Sequence, residues 1–346
     1  RDLHKEYRRQ RQMCIRDSYY KLKDSQSGME VNLIDHGATV TRILVPDRHG
    51  SLADVLLGCP TPEDYLGPHP HFNCLIGRYA NRISNACFRL DDTLYKLDAN
   101  IPPHHLHGGQ HGFGLRTWRS EPIDQGVRFT LFSPDGEGGY PGELNVVAEY
   151  ILDGTALSLR FSATTTRPTP VNLSSHHYYN LSGVQGSAID DHEISVNAAS
   201  FLPVSTDLTQ LGRVESVTNT PFDLRNTVRL GNRLESTHEQ VQAVGGFDHA
   251  FVITGRGLRQ AAKVVDPYSG RSLTIRTDQP SVQLYTTNTL RAEGKQGVAY
   301  RSHQGICLET QQFPDAPNQT DYPDPTLRPG EIFSATTEFL FSCINA

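Results

Sequence analysis

The chain is broken into short segments by turn residues: 29 Gly and 21 Pro are spread over 346 residues. Between them lie runs such as "EVNLI", "VRFTLFS", "LNVVAEYIL", "ALSLRFSATTT", "SLTIRTD", "SVQLYTTNTL", "GICLETQQ" and "TTEFLF". Several alternate apolar and polar residues, the period of a half-buried strand. Helical periodicity is scarce, and Thr61–Tyr65 and Arg233–Val244 are the best short stretches for it. Many short strands joined by turns predict an all-β antiparallel sandwich or barrel rather than alternating βαβ units. No internal repeat and no linker divides the chain, so residues 19–346 are expected to form one large domain.

Residues 1–18, "RDLHKEYRRQRQMCIRDS", stand apart. They hold six Lys/Arg and three Asp/Glu, lack an apolar stretch, and are expected to be a non-native or disordered leader. The whole chain carries −6, and residues 19–346 are more acidic still. That balance argues against a nucleic-acid partner or an anionic membrane, and no apolar run is long enough to span a bilayer. The six cysteines form no C-x-x-C pair and read as free thiols of a reducing compartment. Cytoplasmic residence as a monomer or weak homodimer is the expectation, although the leader obscures any signal peptide.

Five places could carry chemistry. In "VNLSSHHYYNLSG", 171–183, two adjacent histidines on a strand must face opposite ways. His177 shares the mostly apolar parity of Leu173, Tyr179 and Leu181. His176 joins Asn172, Ser174, Tyr178 and Asn180 in a polar row, either a wet surface or a pocket wall. In "IGRYANRIS", Asn81 and Arg82 sit side by side, and an arginine offers a fork of donors suited to hydroxyls or carboxylates. "PPHHLHGGQHGFG", 102–114, holds four histidines. Spacings such as His105/His107 and His107/His111 would suit zinc, but the run has no carboxylate and its glycines imply a loop. One histidine held at a pocket by a Gly-rich turn is the stronger reading, with a purely structural histidine as its rival. "SPDGEGGYPGEL", 133–144, is either a pocket rim or an exposed loop. Asp248 follows a Gly-Gly turn, where it caps the turn or faces a ligand. Glu309 lies within an apolar strand, on the parity of Cys307 and Gln311. Burial raises the pKa of such a carboxyl, which suits a group that takes and returns protons near neutrality.

A glutamate, histidines, and nearby Arg, Asn, Asp and Gln make an acid–base set without a nucleophile. No G-x-S-x-G elbow and no phosphate- or dinucleotide-binding Gly motif accompanies it. Residue chemistry alone reaches proton transfer on a polar small molecule.

Taken together, "GRYANRI", "LHGG", "SPDGEGGYPG", "NLSSHHYYNLSG", "TPFDLR", "GGFDHAFV", "QLYTTN", "CLETQQFPDAPN" and "LRPGE" resemble, in order, the galactose mutarotases (aldose 1-epimerases). The resemblance runs from about Tyr20 onward. It implies a large antiparallel β-sandwich that interconverts the α and β anomers of free hexoses such as D-galactose and D-glucose. By motif, Glu309 would be the general base at the C1 hydroxyl, and His176 the general acid at the ring oxygen. Asn81, Arg82, His107, Asp248 and Gln283 would contact the sugar, with Tyr178 adding a contact. No metal and no organic cofactor is implied, and the partner is a small aldose. "HHLHGG", "HHYY", "GGFDH" and "TTN" depart from the commoner family forms, which leaves the preferred sugar open. A hexose-6-phosphate epimerase and a non-catalytic sugar binder are the alternatives on the same fold, and a zinc hydrolase is a more distant one.

Overall fold

The computed structural model describes residues 18–344. The leader expectation for 1–18 therefore lies outside the described residues apart from Ser18. That residue accepts a hydrogen bond at its carbonyl from the Asp35 amide.

Among the described residues, two large antiparallel sheets face each other. The first has nine strands in the order Arg119–Ile123, Gly126–Ser133, Leu144–Asp153, Ala156–Thr165, Phe333–Cys343, Arg271–Thr277, Arg259–Val265, Glu193–Val196 and Val228–Arg229. The second has six: Tyr178–Tyr179, Ile306–Gln311, Ser281–Tyr285, Asp248–Ile253, Ala198–Leu202 and Glu215–Ser216. The alternation seen in the sequence becomes alternation in burial: along Leu144–Asp153 every second residue is buried. Those inward residues meet Leu284 and Leu308 of the smaller sheet, together with Phe339 and Phe341, in one apolar core. A four-stranded N-terminal sheet, Tyr19–Lys23 through Leu52–Asp54, adds Val31, Val40 and Ile43 to it. The expected sandwich is the observed one.

The Ile306–Gln311 strand is buried on both faces. Ile306 and Leu308 face the core, and Thr310 meets Thr337 of the opposite sheet at 2.6 Å between hydroxyls. Cys307 and Glu309 therefore point away from the sandwich core, toward the loops that cover the smaller sheet.

Three local readings needed revision. The 171–183 stretch is not one strand. Ser174–Ser175 pairs with Leu75–Ile76, and Tyr178–Tyr179 pairs with Ile306–Cys307, so the segment changes partner at the two histidines. The first helical stretch is a 3₁₀ turn, Pro62–Leu66. The second is two short helices, Gly231–Leu234 and Glu239–Val244, separated at Ser236–His238, where the His238 ring caps the second by accepting from the Gln240 amide. Polar side chains that bond their own backbone compete with helix continuity.

Candidate active site

The two histidines obey the parity argument despite the broken strand. His177 is buried among Tyr150, Tyr179 and Phe339, its ring nitrogens 3.3 Å from the Tyr150 hydroxyl and 2.9 Å from that of Tyr179. His176 turns the other way and lines a cavity of about 200 Å³. Its Nε2 is 3.6 Å from Glu309 Oε1, too far for a hydrogen bond, with both residues no more than 5% exposed. The ring of Tyr178 stacks on that of His176 at 4.8 Å and 14°.

Short strand pairing brings two of the other motifs here. Arg82–Ile83 pairs with His105–Leu106, so "ANRIS" and "HHLHGG" lie side by side. The Asn81 amide donates to His107 Nδ1 at 3.1 Å, and Asn81 Oδ1 accepts from the Arg82 amide. The glycine after His107 is required by contact: a Cβ on Gly108 would lie 1.9 Å from the Gly77 carbonyl oxygen, and its φ is +84°. Only glycine allows that approach.

Of the four histidines in 102–114, one serves the cavity. His104 meets Asp207 at 2.9 Å, and His105 is locked between the Asp98 carbonyl and the Tyr140 hydroxyl. His111 is exposed. The 133–144 loop is not a rim of this cavity. It wraps the buried Arg78, whose guanidinium donates to the carbonyls of Ser133, Pro134, Pro141 and Gly142.

Asp248 begins its strand opposite Tyr285, and Gln283 is opposite both Ala250 and Glu309 on neighbouring strands. That register sets the Gln283 amide to donate to Asp248 Oδ1 at 2.6 Å, while Arg82 Nη1 lies 4.0 Å from Asp248 Oδ2. Asn81, Arg82, His107, His176, Tyr178, Asp248 and Glu309 all line the cavity, whereas Gln283 lies beneath it as a support for Asp248. The Tyr178 hydroxyl is already committed as a donor to the Pro70 carbonyl at 2.5 Å. Sequence reasoning missed His71, Leu208, Val244 and Tyr285, which also line the cavity.

Burial dominates the electrostatics. It pushes the His176 ring down to about 3, assisted by neighbouring His71, and it holds His107 well below the ordinary histidine range. It drives Glu309 well above the ordinary carboxyl range, with Asp248 adding to the rise and Arg82 opposing it. Asp248 is raised by burial and pulled back by Arg82 and Gln283. Burial thus favours the uncharged form of the pair, a neutral histidine beside a glutamic acid, over its ion pair.

His107, His176 and Glu309 offer potential metal-ligand atoms all within 4.8 Å of one another. The donor chemistry disfavours a metal. Because His107 Nδ1 accepts from the Asn81 amide, a neutral His107 carries its proton on Nε2 and presents a hydrogen-bond donor there, not a lone pair.

A family profile described as "Aldose 1-epimerase" matches residues 19–340. The chain belongs to the aldose 1-epimerase family. It is 44% identical over 326 residues to the galactose mutarotase of Bos taurus, covering 93% of each chain. It is 36% identical over 324 residues to the aldose 1-epimerase of Escherichia coli strain K12, covering 92% of this chain and 93% of that one. The solved structure of the GalM/aldose epimerase homologue from C. elegans superposes with a TM-score of 0.88 at 28% identity, over 95% of this chain and 100% of that one. Family membership makes the chain an isomerase, an aldose 1-epimerase. Among the described residues no helix is long and apolar enough to cross a membrane.

Proposed function

We propose that this aldose 1-epimerase acts on free hexoses, D-galactose first and D-glucose second, with Glu309 as general base and His176 as general acid. The observation that carries the assignment is their relation: buried together at 3.6 Å, not bonded to each other, on one cavity wall. The oxygens to be served, O1 and O5, are attached to one carbon, so the reaction needs two adjacent groups that share a proton. In the ion-pair form, carboxylate and imidazolium, Glu309 takes the proton from the C1 hydroxyl and His176 gives one to O5. The C1–O5 electron pair leaves with the ring oxygen, and the C1–O1 bond becomes a carbonyl. The pair is left as glutamic acid and neutral imidazole, the form that burial favours. Rotation about C1–C2 presents the other carbonyl face, and the reverse transfers close the ring as the other anomer. Proton count and net charge are unchanged over the cycle, so the cost that burial imposes is that of forming the ion pair from the neutral pair, and it is recovered at each transfer.

Arg82 and the His107 Nε2–H are donors for the oxygens of the ring, and Asp248, held by Gln283, accepts from sugar hydroxyls. The relative's name, galactose mutarotase, is what puts D-galactose first. A phosphorylated hexose is disfavoured: among the described residues that line the cavity, Arg82 is the single Arg or Lys. The acidic composition supports a monomer or weak dimer, and the free thiols of the described cysteines support cytoplasmic residence.

The test is NMR exchange between anomers of D-galactose, D-glucose and glucose 6-phosphate. Exchange on the free sugars should accelerate, and Glu309→Gln should lower kcat by about 10²–10⁴ while sugar still binds. Acceleration confined to the phosphate would move the assignment to the hexose-6-phosphate reading. Full activity in Glu309→Gln would remove the base from this mechanism.

A further inference from the structure

His71 belongs to none of the roles above, yet it lines the cavity beside Pro70. Its ring lies 5.0 Å from that of His107 and 6.3 Å from that of His176, nearly parallel to the latter at 22°. Its backbone is in the left-handed region, with φ of +55°. A non-glycine residue pays for that conformation, and such outliers persist where the surroundings over-determine them.

The surroundings do so here. The His71 amide donates to the His69 carbonyl, and the His71 carbonyl accepts from Cys74 Sγ. Tyr178 holds the preceding carbonyl through its hydroxyl, and the Asn73 amide donates to the His176 carbonyl. The turn is therefore pinned to the residue that carries the acid and to the ring stacked on it. What the turn presents is an imidazole whose buried Nδ1 has no hydrogen-bond partner. A neutral imidazole has one donor and one acceptor, and burying either unpaired is unfavourable unless a partner arrives.

We propose that His71 is a sugar-contacting, specificity-determining residue, whose ring hydrogen-bonds a hydroxyl of the hexose other than the one at C1. The contact is to a non-reacting hydroxyl because O1 and O5 are the atoms that Glu309 and His176 serve; the proposal rests on that reading of the pocket. Burial lowers the ring to about 4, so it stays neutral and can accept from the sugar hydroxyl or donate to it. A site built to pair a hydroxyl discriminates against sugars that lack it, because its own polar atom is then left unpaired.

The test compares the full chain with its His71→Phe and His71→Gln variants. Binding of D-galactose and its 2-, 3-, 4- and 6-deoxy forms is read by calorimetry, and KM and kcat by anomer exchange. His71→Phe should raise the D-galactose Kd and KM about fivefold to tenfold, the worth of one hydrogen bond, with kcat within about twofold. His71→Gln, which keeps a polar head, should recover most of the loss. For one deoxy sugar, the wild-type affinity should already be reduced and His71→Phe should add nothing. Unchanged Kd and KM in a folded His71→Phe, or a loss confined to kcat, would overturn the proposal while leaving the acid–base assignment standing. Binding that depends on His71 without any catalysed exchange would do the opposite.

Discussion

At the scale of the residue, His176 and His177 differ by one position and by what they face: the cavity for the first, the Tyr150 and Tyr179 hydroxyls for the second. His176→Asn should lower kcat by about 10²–10⁴ and leave the denaturation midpoint near that of the parent. His177→Phe should do the reverse, because it strips partners from the buried Tyr150 and Tyr179 hydroxyls. The loss should be about 1–3 kcal/mol per hydroxyl in a denaturant titration, with kcat within about threefold. On the proposed mechanism the shared proton also sets the pH response. A free imidazole of ordinary pKa would be protonated by pH 5.5, whereas His176 is held near 3 and Glu309 well above its usual range. Acidification to pH 5.5 therefore adds no proton to His176, and kcat/KM should fall by no more than about twofold between pH 6.5 and 5.5. An acid limb centred near 6.5 would contradict this. Parity alone distinguished these two histidines in the sequence. His71 was illegible there, because its place depends on a left-handed turn fixed by Tyr178 and Asn73, both distant along the chain from the turn or from its partners.

At the scale of the element, the strands with clean alternation were legible almost to the residue: "LNVVAEYIL" and "ALSLRFSATTT" became Leu144–Asp153 and Ala156–Thr165. Strands that change partner were not. "SVQLYTTNTL" ends as a strand at Tyr285, and the following Thr286 and Asn288 bond the Gly-Gly turn through the Phe247 amide and carbonyl. The 133–144 loop was misjudged for a related reason: its organiser is Arg78, some 55 residues earlier in sequence. Arg78→Met should destabilise the fold by about 3 kcal/mol or more, since the carbonyls of Ser133, Pro134, Pro141 and Gly142 lose their donor. KM for D-galactose should not change. A raised KM with unchanged stability would put the loop back at the sugar.

At the scale of the molecule, burial of neutral histidines links folding to pH. His71, His107, His176, His177 and His249 all have pKa values below the ordinary 6.5. Below that pH the unfolded chain takes up protons that the folded one refuses, so stability falls as pH drops from about 6.5 toward the folded values near 3 to 4. Each fully refused proton costs about 1.4 kcal/mol by pH 5.5. The raised carboxyls Glu309 and Asp248 act in the opposite sense, but five histidines outweigh two acids. The melting temperature should therefore decline between pH 7 and 5.5, and a flat or rising curve would refute the neutral-histidine account.

The order of the nine-stranded sheet has a consequence for how the molecule comes into being. Phe333–Cys343 is the last of its strands along the chain, yet it sits between Ala156–Thr165 and Arg271–Thr277. Until that strand is available, the larger sheet can be no more than two halves with open edges, each bearing part of an apolar face. Closing that gap joins segments far apart in sequence, the kind of step that is slow and exposed to mispairing. The smaller sheet has its glutamate-bearing strand before then but nothing complete to rest on, so on the proposed mechanism a nascent chain would carry every acid–base residue before it had the fold to use them.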